Sequence, residues 1–175
     1  MEQTLAAPAS EAPGAADIAF EQLYRSSRDD VFAYAAGLLR NRSAAEEVTA
    51  TAFERAFRKR HRFDPRRGNP RAWLFGIARN AALDELRRGK RQAELTEEAQ
   101  DVDSPSPGHL AEESSRRATV RAALAGLDSR ERELVALKFF AGLSNSEIAG
   151  LLGVSESNAG TRLHRVITKL REACR

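Results

Sequence analysis

Apolar residues recur along this chain at three- and four-residue intervals, and no stretch alternates apolar and polar positions as a strand would. The pattern predicts an all-α chain. Ile18, Phe20, Leu23, Tyr24, Val31, Phe32, Ala35, Leu38 and Leu39 define a first helix from about Asp17 to about Arg40, weakest near Ser26-Ser27. Ser43 with Glu46 three positions on has the spacing of a capping box for a second helix. That helix would bury Val48, Ala52, Phe53, Ala56 and Phe57 and expose Glu46, Glu47 and Glu54. Phe63 to Gly68 forms a loop by its Pro and Gly content.

Asn69 as N-cap and Pro70 in the first turn start a third helix, with an end expected at Gly89. At about 100° per residue, Trp73, Asn80, Asp84, Arg87 and Arg91 fall on one face, with Arg88 at its margin. Leu74, Phe75, Ala78, Ala82 and Leu86 fall on the other. A flat aromatic among amide and guanidinium groups is how proteins hold unstacked bases and the phosphates between them. The same pattern also fits a Trp73 that packs on a neighbouring helix beside solvated arginines.

Periodicity resumes near Leu110 and strengthens at Val120, Ala123, Leu124 and Leu127. Three further starts follow: Asp128 with Glu131, Ser144 with Glu147, and Ser155. The first of these helices ends near Gly142, and Gly153 can end the second in the left-handed conformation. A short helix, a tight turn at Gly153 and a second helix are the layout of a helix-turn-helix. On the last helix Ala159, Leu163, Val166, Ile167, Leu170 and Cys174 form one apolar stripe, so Cys174 reads as a packing thiol. The opposite face carries Ser157, Asn158, Thr161, Arg162 and Arg165, able to hydrogen-bond base edges or phosphates. A plain helical hairpin with a solvated polar face is the alternative.

Charge divides the chain further. Residues 17–91 hold 17 Lys and Arg against 10 Asp and Glu. Residues 92–115 hold seven acids and no Lys or Arg, while residues 116–175 hold 11 bases against six acids. Two basic blocks joined by an acidic strap point to a polyanion partner for the blocks and not for the strap. The expected organisation is therefore a disordered tail (1–16), a first helical domain (17–91), a flexible acidic linker (92–113) and a helix-turn-helix domain (114–175). Because the linker lacks an apolar stripe, the two domains are expected to move independently.

The chemistry that the chain lacks narrows its function. A single cysteine excludes an intramolecular disulfide framework, and His61, His109 and His164 are scattered, so neither a metal nor a cofactor is expected. Asp84 and Glu85 are lone acids among arginines with no nucleophile and base set, which argues against an enzyme acting on nucleic acid. With no apolar run of transmembrane length and no signal-peptide pattern, no membrane insertion is expected and a cytoplasmic location is.

Three strings in order, SAAEEVTATAFERAF, RAWLFGIARNAALDELRR and LSNSEIAGLLGVSESNAGTRLHRVITKLRE, resemble a bacterial sigma factor of the extracytoplasmic-function (ECF) type from Asp17 to Arg171. The resemblance implies a non-enzymatic subunit that directs core RNA polymerase to promoter DNA. Glu46, Glu47 and Glu54 would face the polymerase clamp. Trp73, Asn80, Asp84, Arg87 and Arg88 would handle the unwound minus-10 strand, and the loop from Phe63 to Pro70 would help frame a flipped base. Ser157, Asn158, Thr161, Arg162 and Arg165 would meet the minus-35 duplex. The family commonly adds an anti-sigma protein as a third partner. Gly160 stands where a basic residue is frequent in the family. A stand-alone helix-turn-helix regulator with an N-terminal sensing or dimerisation domain would explain residues 116–175 but not the Trp-Asn-Asp-Arg face.

Overall fold

A computed structural model describes residues 14–96 and 111–175, and within them every regular element is helical. The N-terminal unit comprises α1 (Ala15–Leu39), α2 (Arg42–Lys59), two short 3₁₀ turns (Arg60–Arg62 and Pro65–Arg67) and α3 (Pro70–Thr96). The C-terminal unit comprises α4 (Ala111–Ala125), α5 (Ser129–Phe139), α6 (Asn145–Leu152) and α7 (Glu156–Ala173). The tail expected before Asp17 and most of the expected linker lie outside the described residues.

α1 runs through Ser26-Ser27 without a break. The Ser26 hydroxyl donates back to the Leu23 carbonyl at 3.3 Å, and Ser27 is buried where Arg71 donates to its hydroxyl. The helix ends with Arg40 in the left-handed region (φ 53°), which leaves one residue before the next helix begins. Hence Asn41, not Ser43, caps α2, its side chain accepting from the Ala44 amide at 2.9 Å. Glu46 is then free of capping and pairs with Arg42 at 3.1 Å.

α2 buries Val48, Ala52, Phe53 and Ala56 as its periodicity requires. Phe57 does not join them: it is 45% exposed, with Phe20 edge-on and the Arg60 guanidinium 3.7 Å above its ring. Arg60 also donates to Asp17, holding that carboxyl below its ordinary pKa range. α3 starts as the sequence predicts, the Asn69 side chain accepting from the Arg71 amide. It passes through Gly89 to Thr96, because one glycine costs a formed helix only about 1 kcal/mol. Leu74, Phe75, Ala78, Ala81 and Ala82 are buried, whereas Leu86 reaches the surface.

In the C-terminal unit the local signals hold closely. Asp128 and Glu131 close a reciprocal capping box on α5, as Ser144 and Glu147 do on α6, and Ser155 caps α7 through the Asn158 amide. Gly142 and Gly153 both take φ of +66° and end α5 and α6. Val120 lies on an exposed side of α4, and Cys174 is exposed at the end of α7 instead of closing its apolar stripe.

The two units are small helical domains that pack on one another. Their buried residues form one continuous core, with α1 and α3 against α5 and α6. The sequence expectation of independently moving domains looked for a docking surface in the acidic strap. The helices themselves supply it, at two glycines where backbone meets side chain. A Cβ on Gly37 of α1 would lie 3.3 Å from the Phe140 ring, and one on Gly76 of α3 would lie 3.1 Å from Leu151.

Candidate nucleic-acid interface

α7 presents one face to the core and the other to solvent. Ala159, Leu163 and Val166 are buried, which turns Ser157, Asn158, Thr161, Arg162 and Arg165 outward, all exposed. With Ser155 they line one open concavity of about 410 Å³. None of the described residues forms an ion pair with Arg162 or Arg165, so both guanidinium groups keep their donors for an external acceptor. The structure thus brings together all five residues predicted for duplex contact. Gly160 sits at the margin of this face, where a Cβ would start 3.4 Å from the Asn145 side chain of α6 and not over the concavity.

The predicted face of α3 is assembled differently. Asn80, Asp84, Arg87 and Arg88 are exposed along one side of the helix. Asp84 takes Arg55 of α2 at 3.4 Å and Arg87 at 3.5 Å, so the acid is neutralised by these two and not by Arg88. Arg88 pairs with Glu85 on its own helix and with Glu47 of α2 at 3.1 Å. Trp73 is half-buried against the core with Phe63 packed on it, ring centroids 5.1 Å apart at 43°. The indole is therefore partly a packing residue, and the loop that carries Phe63 is anchored to α3 through it. Sequence periodicity placed Trp73 on the face but could not reveal Phe63 as its neighbour.

The three acids of α2, Glu46, Glu47 and Glu54, are all exposed on its outer side. Each already has a cation: Arg42 for Glu46, Arg88 for Glu47 and Arg58 for Glu54 at 2.6 Å. Exposed pairs of this kind are worth about 0–1 kcal/mol, so a protein partner can displace them at little cost.

Sequence reasoning missed the polar contacts between the units. Arg71 donates to the Ala141 carbonyl at 2.5 Å, the Phe140 carbonyl at 3.1 Å and Asp30 at 2.6 Å. Arg79 pairs with Glu133 at 2.6 Å, with both side chains largely shielded. Burial pushes the nearby Tyr34 phenol well above its ordinary pKa, and the Glu133 carboxylate adds to the effect. Asn69 donates to Glu147 at 3.0 Å. The Ser144 amide, chiefly, together with that Asn69 amide, holds the Glu147 carboxyl below its ordinary range. Among the described residues no cluster of His, Cys, Asp and Glu could hold a metal, and no helix is long and apolar enough to cross a membrane.

A helix-turn-helix with an open basic face, joined to a second helix bearing Asn80 and exposed arginines, has the chemistry of a nucleic-acid-binding surface. Comparison with known proteins gives the family. Residues 23–92 match the family model for Sigma-70 region 2, and residues 117–170 match that for Sigma-70, region 4. The sigma factor CarQ of Myxococcus xanthus is 36% identical over 163 residues, covering 91% of this chain and 90% of CarQ. The ECF sigma factor SigE of Mycolicibacterium smegmatis is 33% identical over 157 residues, and BldN of Streptomyces coelicolor is 32% identical over 161. The aligned part spans 60% of the length of each of these last two relatives. Among solved structures, CnrH in complex with the cytosolic domain of CnrY is similar, with a TM-score of 0.62 at 28% identity, covering 89% of this chain and 86% of CnrH. RpoE in complex with the anti-sigma factor NepR from Bartonella quintana shares the fold, with a TM-score of 0.71 at 21% identity, over 89% of this chain and 96% of that one. The chain belongs to the ECF family of RNA polymerase sigma factors. It is not an enzyme by that membership. The α1–α3 unit is hereafter region 2 and the α4–α7 unit region 4.

Proposed function

We propose that this chain binds core RNA polymerase in the cytoplasm and directs it to promoters, region 4 reading the minus-35 duplex and region 2 reading and helping to open the minus-10 element. The observation that carries this reading is the coexistence of two differently built contact faces on one chain. The α7 face has exposed hydroxyls and guanidinium groups with no ion-pair partner among the described residues, suited to a duplex groove. The α3 face offers Asn80 for a base edge, Arg87 and Arg88 for phosphates, and the Trp73–Phe63 pair beside the loop. Glu46, Glu47 and Glu54 on α2 would dock on the polymerase clamp, exchanging their present arginines for basic groups of the partner. Residues 17–91 and 114–175 are the functional domains in this reading, with 92–113 as the connecting strap. An anti-sigma protein is a further partner, since the similar RpoE is bound to the anti-sigma factor NepR and the similar CnrH to the cytosolic domain of CnrY.

Run-off transcription on genomic fragments tests the proposal. Transcripts should appear with core polymerase plus this chain and not with core alone. Tight duplex binding without polymerase, and no transcript with it, would favour a stand-alone regulator instead.

A further inference from the structure

α3 runs on after its packing has ended. Among its described residues Ala82 is the last to be buried, and every residue from Leu86 to Ala93 is exposed. A helical segment that buries nothing gains no support from tertiary packing, and a mid-helix glycine at 89 weakens this one further. A Cβ at Gly89 would meet no atom within 4 Å, so no close approach requires a glycine there. The helix nevertheless continues to Thr96 and carries Arg87, Arg88, Lys90 and Arg91 into solvent, with no acid among residues 87–93. Arg87 and Arg88 are held by carboxylates of α2 and α3. Arg91 differs. It has no ion-pair partner among the described residues, and its Nε–H donates to the Arg87 carbonyl at 3.4 Å, one turn back on its own helix. That leaves its terminal guanidinium donors for an external acceptor.

Position along α3 identifies the acceptor. Arg87 and Arg91 continue the line of Asn80 and Asp84, since the steps between them return to nearly the same side of a helix. Arg91 lies about 16 Å beyond Asn80 at ~1.5 Å per residue, which is about five base pairs of duplex at ~3.4 Å each. At the other end of α3 stands the Phe63–Trp73 pair, the part proposed to hold an unpaired base. The chain leaves the Arg91 end towards region 4, whose proposed minus-35 target lies upstream. The Arg91 end therefore points at DNA that is still paired. Resting on the minus-10 reading of α3, we propose that the arm of α3 beyond Gly89 grips the backbone of the paired duplex just upstream of the melted element, with Arg91 on a phosphate and Lys90 beside it. Duplex DNA carries one phosphate charge per ~1.7 Å of its axis, so a short row of cations engages it without regard to sequence. The contact fastens the upstream edge of the melted region while Asn80 and Trp73 act on the strand.

The test compares holoenzyme, core polymerase plus this chain, on two fork templates that share a single-stranded minus-10 element and lack minus 35. One carries about ten base pairs of duplex upstream, enough for the ~16 Å reach of α3, and the other about two. On the long fork Arg91→Ala should lower the slope of log affinity against log salt by about 0.9. Its deficit against wild type should then shrink about three- to fourfold between about 50 and about 200 mM salt. Arg91→Lys should keep the slope, because a phosphate accepts either cation. Gly89→Pro, which interrupts α3 just before the arm, should reproduce the slope of Arg91→Ala. On the short fork wild type and all three variants should be alike. An unchanged slope for Arg91→Ala on the long fork overturns the proposal. So does an equal loss on both forks, which assigns Arg91 to the unwound strand, or a loss of core affinity in place of DNA affinity, which assigns it to polymerase. Failure of the sigma-factor reading is scored apart, as no promoter-specific complex with wild type or variant. The free chain on random-sequence duplex then decides the arm: a slope lower by about one unit in Arg91→Ala upholds the grip on phosphates, and an equal slope overturns it.

Discussion

The two faces proposed to contact DNA stand in opposite states of readiness. On α7 the arginines proposed for the duplex have no ion-pair partner among the described residues and line an open concavity. On α3 the corresponding charges are already spent on neighbours, Asp84 on Arg55 and Arg87, and Arg88 on Glu47 and Glu85. The difference follows from what each face must meet. A duplex groove is a rigid target that a preformed donor array can match without reorganisation. An unwound strand exists only after the duplex has opened, so a face that stays neutralised until then holds fewer free charges for nonspecific duplex.

The strongest way to break this comparison is to remove the support beneath one face. Phe75 is fully buried under α3, its ring edge-on to Tyr34 at 5.6 Å. Phe75→Ala should cost about 3–5 kcal/mol of stability, measured by urea unfolding. Because the core is continuous across both units, one cooperative transition should shift; two separate transitions, with region 4 unmoved, would show that the units fold apart.

Next in size is the free face itself. If Arg162 or Arg165 reads a base bidentately, its replacement by Ala should cost about 1–3 kcal/mol of promoter binding and relax specificity at one position. A phosphate contact would weaken all sequences alike and reduce the salt slope by about one unit. Promoter selection and affinity unchanged in both variants would remove these residues from the interface.

The tethered face should respond in kinetics. Asn80→Ala should slow opening of a duplex promoter while leaving core binding intact, with partial rescue on a pre-melted bubble, followed by permanganate reactivity of unpaired thymines. One base held by stacking is worth about 1–3 kcal/mol, which bounds the defect expected where Trp73 and Asn80 share a base. Opening at the wild-type rate would leave Trp73 as a packing residue under Phe63. Arg88→Ala should change folding stability by no more than about 1 kcal/mol, since Arg88 itself is exposed and its pair with Glu47 is exposed at both ends.

The smallest effect concerns acid. The Glu147 carboxyl titrates below its ordinary value when folded, so its contribution to stability is present above the unfolded pKa and is lost as pH falls through the folded one. Thermal melts should therefore be insensitive to this group near neutrality and decline in the acid range. Glu147→Gln should flatten part of that decline, and an unchanged acid limb would discount the Asn69–Glu147 bridge.

Much of the molecule was written locally. Asp128 with Glu131, Ser144 with Glu147, Gly153 and Ser155 each act over three or four residues, so their geometry follows from spacing alone. The polar face of α7 was equally legible, because a helix with one strong apolar stripe has only one side left for solvent. The α3 face was half legible: periodicity gave its members but not its ion pairs, which reach across to α2. Tertiary structure alone decided the rest. Arg40 and Arg71 bond carbonyls about 85 and 70 residues further along, Gly37 and Gly76 matter only because Phe140 and Leu151 arrive opposite them, and Phe57 ends half-exposed between the Phe20 ring and the Arg60 guanidinium. No periodicity encodes such meetings. The sequence determines which face of each helix is apolar, but which helix covers that face depends on the packing of the whole chain.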